Sequence, residues 1–260
     1  MQKFVGTILV VIICLFCLSS SVQAQIEFKV LPGDMAVIGY RTDNHNFAIV
    51  CLREIPSGTN IRFTDKGWNH DETFRTDEGV IYWTTTEICE LGMIKIINPL
   101  DYYVSGEFKL STSGDQIFIY QELVADNPNF IFGLNTFDNV WQSSAGTATT
   151  SALPSDLKDS IPQSAIAIKH RTYSVYNGER GFNSINEAKL SIINTGNWTN
   201  ITPQLPLPTG SFSFTTTAVH LSEFSAETGD ESAPWWMIAG LVVIPVLMMV
   251  VKRPKRECCK

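Results

Sequence analysis

The chain has 260 residues, 44% hydrophobic and 17% charged, with a formal net charge of -7. That length is enough for one well-packed core or two small ones. An acidic surface repels phosphate backbones, so nucleic-acid binding is disfavoured from the outset.

The first 24 residues have the pattern of a cleavable signal peptide. Lys3 precedes an apolar run from Ile8 to Leu18, and Val22 and Ala24 supply the small residues that signal peptidase cuts after, so Gln25 is the expected mature start. The run is shorter than the roughly 20 residues a spanning helix needs.

Residues 25–216 form the expected ectodomain. Met35–Tyr40, Phe47–Leu52, Asn60–Phe63, Gly79–Thr84, Met93–Ile97, Glu107–Leu110, Gln116–Gln121, Phe130–Phe132, Ala165–Lys169 and Ser211–Thr215 are short apolar or alternating runs. Turn residues such as Pro32-Gly33-Asp34 and Pro56-Ser57-Gly58 separate them. Frequent short strands of this kind predict an all-β fold, a β-sandwich or barrel. Phe47–Leu52 is apolar on both faces and belongs in the middle of a sheet. The spacing predicts one short helix over Asn183–Leu190, capped by Ser184 with Glu187 three residues on. Trp141–Ser155 reads as a polar connector, a long surface loop.

Residues 217–233 form an acidic stalk. Residues 234–251 contain no charge and begin with Pro234-Trp235-Trp236, which places indoles at a membrane interface. Lys252-Arg253-Pro254-Lys255-Arg256 follows at once, so 234–251 is the expected single transmembrane helix and 252–260 a basic cytoplasmic tail. The ectodomain is then outside.

Four cysteines fall in the leader or the tail. Cys51 and Cys89 remain, and in an oxidising compartment they form a possible disulfide; the alternative is a pair of buried thiols packing as small hydrophobes. Asp65, Asn69, Asp71 and Glu72 place hard oxygen donors in one loop, a weak calcium candidate whose spacing is not that of an EF-hand. A solvated acidic loop is the plainer reading of the same residues. Calcium is the one cofactor this points to. Trp68, Trp83, Tyr82, Tyr102, Tyr103 and Trp141 are candidates for stacking on sugar rings. Core packing is preferred for Trp68 and Trp83, and exposure for Tyr102 and Tyr103, which sit in an apparent loop. Ser155-Asp156-Leu157-Lys158 matches a serine–lysine motif in letters only, without its partner motifs. His70-Asp71-Glu72 lacks the second histidine of a zincin helix. Asn197-Trp198-Thr199 and Asn200-Ile201-Thr202 are glycosylation sequons in form. No catalytic constellation is expected.

Several blocks fall in order over roughly residues 30–200: Gly33–Tyr40, Asn46–Val50, Ile55–Trp68, Leu110–Gln116, Phe132–Asn135 and Asn197–Thr199. Together they resemble an uncharacterised domain of secreted and cell-surface bacterial proteins. The resemblance implies a compact β-rich surface module without an established activity, so it assigns no catalytic residue. The end of the chain is similar to bacterial exosortase-type sorting tails, with Ser232-Ala233-Pro234 where a Pro-Glu-Pro-like motif is usual. The expected function is a non-enzymatic, membrane-anchored surface or adhesion-type module, with a surface glycan or protein as partner. The alternatives are a calcium- or carbohydrate-binding module and a hydrolase whose site is assembled from distant residues.

Overall fold

A computed structural model describes residues 27–125, 127–169, 171–199 and 206–215. The signal peptide (1–24), stalk (217–233), membrane helix (234–251) and tail (252–260) expected above lie outside the described residues. So does the Asn200 sequon.

The chain is mostly β, with several sheets and few helices. In chain order the strands are β1 (Met35–Arg41), β2 (Phe47–Cys51), β3 (Asn60–Thr64), β4 (Val80–Thr84), β5 (Ile94–Ile97), β6 (Tyr103–Ser105), β7 (Gln116–Val124), β8 (Asn127–Asn135), β9 (Ala165–Ala167), β10 (Tyr173–Tyr176), β11 (Gly181–Phe182), β12 (Trp198–Thr199) and β13 (Ser213–Phe214). One sheet runs β12-β10-β1-β2-β5, a second β6-β4-β3-β7-β8-β9, and β11 pairs with β13. The first sheet is wholly antiparallel. In the second only β8 and β9 run parallel.

The expected strands map onto β1–β5, β7–β9 and β13. β1 and β2 are apolar at successive positions because both faces of the first sheet are covered. Every residue of β2 is buried, as are six of the seven in β1. One face meets the second sheet, where the Phe47 and Phe63 rings lie 5.2 Å apart, edge to face. Apolar side chains of the 185–192 helix and of the 207–212 segment belong to the same core, through Ala188, Ile192, Leu207 and Phe212. The second sheet alternates instead: on β3, Ile61 and Phe63 are buried while Asn60 is exposed.

The Glu107–Leu110 segment is a correction: it carries apolar Phe108 and Leu110 into the core but forms no strand. Its Lys109 N–H donates to the Asp65 side chain at 2.6 Å, so a carboxylate stands where a neighbouring strand's carbonyl would. Tyr103 is a second correction, since it opens β6 and is not in a loop. The helix expectation also changes. α2 (Ile185–Ile192) follows the predicted capping box, with Ser184 Oγ accepting from Glu187 N and Glu187 Oε2 accepting from Asn183 N. A second, single-turn helix α1 (Ser155–Lys158) lies where the connector was expected to run on as loop. None of the described helices is long and apolar enough to cross a membrane.

Candidate functional site

The loop from β3 to β4 carries the four oxygen donors singled out in the sequence, and the fold divides them. Asp65 is buried at the loop's base, 1% exposed. Its Oδ1 accepts from Gly79 N at 2.8 Å and its Oδ2 from Lys109 N at 2.6 Å. Asn69, Asp71 and Glu72 lie in the far turn, where Asp71 is exposed and accepts from Thr73 Oγ1 at 2.6 Å. The expected calcium set is therefore not brought together as one cage. Among the described residues no three His, Cys, Asp or Glu side chains are grouped to hold a metal ion.

The fold instead gives Asp65 two acidic neighbours. Burial raises its carboxyl to about 6, against backbone N–H bonds that lower it. Burial, with the nearby Asp65 charge, raises Glu78 to about 8. Asp115 is pushed well above the usual range, first by burial and then by Asp65. All three carboxyls hold backbone. Glu78 Oε2 accepts from Gly67 N at 3.2 Å, and Asp115 accepts from Ser111 N at 2.7 Å and from Gln116 N at 2.9 Å. The Gln116 amide bridges two of these residues, donating from Nε2 to the Asp65 backbone carbonyl and to Asp115 Oδ1. These groups pin the loop ends to the second sheet. Gly79 fits between them because a Cβ there would run into Phe108 N.

The far half of the loop lies against residues 141–158, and the two segments are laced together. Trp68 N donates to Ser151 Oγ and Ala152 N to Trp68 O, both at 2.8 Å. His70 N donates to Ser144 Oγ at 3.3 Å. A Cβ on Gly67 would sit 2.6 Å from both Ala145 Cβ and Thr150 O, so the close approach requires glycine. Trp68 is 6% exposed, with its ring edge-to-face on Phe74 and Phe130 at 4.9 and 4.8 Å. It anchors a small second core with Phe118, Tyr120 and Leu157.

Between these segments lie two open depressions, of about 510 and 370 Å³. Trp68, Glu72 and Ser155 line both. His70, Trp141, Gln142 and Lys158 are among the residues lining the larger, and Asp71, Asp156 and, from β8, Phe130 among those lining the smaller. Trp141 is half-buried, stacked on Phe118 at 5.7 Å, and its buried Nε1 has no partner among the described residues. Sequence reasoning missed Gln142, Ser155 and Lys158 as lining residues. The available signal was a tryptophan, Trp141, opening an otherwise small and polar connector.

The other candidates lie elsewhere. Tyr103 is 72% exposed, and its ring is 5.3 Å from that of Tyr82, which in turn lies under the Arg62 guanidinium at 4.9 Å. The register Arg62↔Tyr82↔Tyr103 puts all three on one face of the second sheet. Tyr102, expected to be exposed, is half-buried against the main core. Trp83 is a core residue stacked on Phe63 at 6.0 Å. Cys51, at the end of β2, and Cys89, beyond β4, form a disulfide with Cα atoms 6.3 Å apart. It ties the first sheet to the loop leaving the second. Asn197 donates its amide to Ser191 O and Oγ, both at 2.9 Å.

Compared with protein families, curated proteins and solved structures, the chain finds no match.

Proposed function

We propose that the chain is an exported surface module of the adhesion type: a β-sandwich ectodomain on an acidic stalk, held in the membrane by the helix at 234–251, that works by binding. The observation that carries the reading is the Cys51–Cys89 disulfide. Such bonds persist in oxidising compartments outside the cytosol. The leader pattern at 1–24 and the basic cluster after 234–251 agree in orientation with that compartment.

Binding is favoured over catalysis by what the perturbed acids do. Asp65, Glu78 and Asp115 have the shifted acidity that marks acid–base residues in enzymes. Here all three accept from backbone N–H groups and hold loops in place. The resemblance to secreted bacterial surface domains points the same way.

The test is made on intact cells producing the full chain. Protease added outside should degrade the ectodomain, the mature protein should begin at Gln25, and Cys51 and Cys89 should resist alkylation until a reductant is added to the unfolded protein. An unprocessed chain protected from external protease, with both thiols free, would overturn the proposal.

A further inference from the structure

We infer that the trough around Trp68 binds a neutral oligosaccharide. This rests on the reading of the chain as a displayed binding module, and it gives that module a site and a ligand class.

The two depressions have Trp68, Glu72 and Ser155 in common, so they adjoin and a chain-like ligand can extend from one into the other. Each volume falls in the range of roughly 300–1,000 Å³ usual for ligand sites. The walls are already fixed by the hydrogen bonds between the two segments, so little ordering entropy remains to oppose binding.

The chemistry of the lining narrows the ligand. The side chains of Glu72, Gln142, Ser155 and Lys158 form no hydrogen bond or ion pair among the described residues. They offer donors and acceptors in mixture, which suits hydroxyl groups, since each hydroxyl both donates and accepts. Trp141 adds an aromatic surface, fit for the C–H face of a sugar ring. Charge excludes acidic sugars. Lys158 is offset by Glu72 in the larger depression, and Asp71, Glu72 and Asp156 leave the smaller one negative. A uronate or sulfate would meet repulsion along that half of its path. A purely apolar ligand would bury these polar groups without partners, at a cost.

The experiment titrates the full chain, in a detergent without a sugar headgroup, with cellotetraose, xylotetraose, laminaritetraose and mannotetraose, and with tetragalacturonate as the acidic comparison. Heat of binding and tryptophan fluorescence are read together. Saturable binding of at least one neutral tetrasaccharide is expected, with none of tetragalacturonate. Gln142→Ala, which removes a hydrogen-bonding group, and Glu72→Gln, which replaces a charged acceptor with a weaker neutral one, should each weaken it by about tenfold. Both positions are outside the core, so the thermal transition should be unchanged and a folding defect will not imitate the result. Tyr103→Ala, on the separate sheet face, should bind as wild type. The inference is overturned if none of the four neutral sugars binds, if binding survives both substitutions, if tetragalacturonate binds as well, or if Tyr103→Ala abolishes binding. A failure here with the ectodomain still protease-accessible on cells removes the sugar and leaves the surface module standing.

Discussion

Raising the pH from 5 to 8 should destabilise this protein, the reverse of ordinary acid denaturation. Asp65 has a carboxyl raised from 3.8 to about 6 and Glu78 one raised from 4.5 to about 8. A group whose folded-state value is raised contributes its full stability below the unfolded value and loses it as pH climbs through the folded one. Asp65 therefore loses its contribution between about 4 and 6, and Glu78 between about 4.5 and 8. From pH 5 to 8 the Asp65 share is about 1.4 kcal/mol. Glu78 adds about 2 kcal/mol once solvent screening of its half-buried carboxyl is allowed for. Asp115 acts in the same direction. His45 opposes them: desolvation holds it below 6.5, so its stability is present at high pH and lost on acidification. Asp71 and Asp77, lowered by Thr73 and Arg75, titrate below 3.8 and do not enter this window. The net expectation is a loss of about 3 kcal/mol, a large part of the 5–15 kcal/mol typical of a folded domain. Urea unfolding followed by tryptophan fluorescence at half-unit pH steps measures it. Glu78→Gln keeps an acceptor for Gly67 N but removes the charge, so it should flatten the profile and exceed wild type in stability at pH 8. Stability that is flat or rising from pH 5 to 8, or a Glu78→Gln protein weaker than wild type at pH 8, would refute the reasoning.

Three further substitutions test other joints of the fold. The Cys51→Ala/Cys89→Ala pair opens a loop of 38 residues and should cost about 4 kcal/mol in the chain-entropy account, seen as a melting temperature lower by about 10 °C. Gly79→Ala should cost more than about 2 kcal/mol, because the added Cβ meets Phe108 backbone and parts Gly79 N from Asp65; denaturant midpoints check it. Ser184→Ala removes the acceptor for Glu187 N and should cost about 1 kcal/mol, without altering the disulfide or the trough.

Much of the architecture was legible locally. The runs that became β1 to β5 carry their own period: unbroken apolar residues where both faces are covered, alternation on β3 where one face is open. Ser184 and Glu187 announced α2 because a capping box is complete within four residues. Failures came where a long-range partner replaced a local rule. Glu107–Leu110 has strand-like residues, but its amide goes to Asp65, 44 positions earlier in the chain. Trp198 and Thr199 form a strand only because β10 is there to pair with.

The candidate site divides in the same way. Sequence by itself determined which residue types stand in the acidic loop, that Cys51 and Cys89 are the two cysteines between residues 25 and 251, and that Trp68 is a core residue. It treated Asp65 as one donor among four, since nearness in sequence was the only distance available. Tertiary structure decided that Asp65 turns inward to Gly79 and Lys109 while Glu72 turns outward to a trough shared with Gln142, Ser155 and Lys158. A carboxylate's role depends on whether amides or solvent surround it, and those surroundings are assembled from strands and loops tens of residues apart.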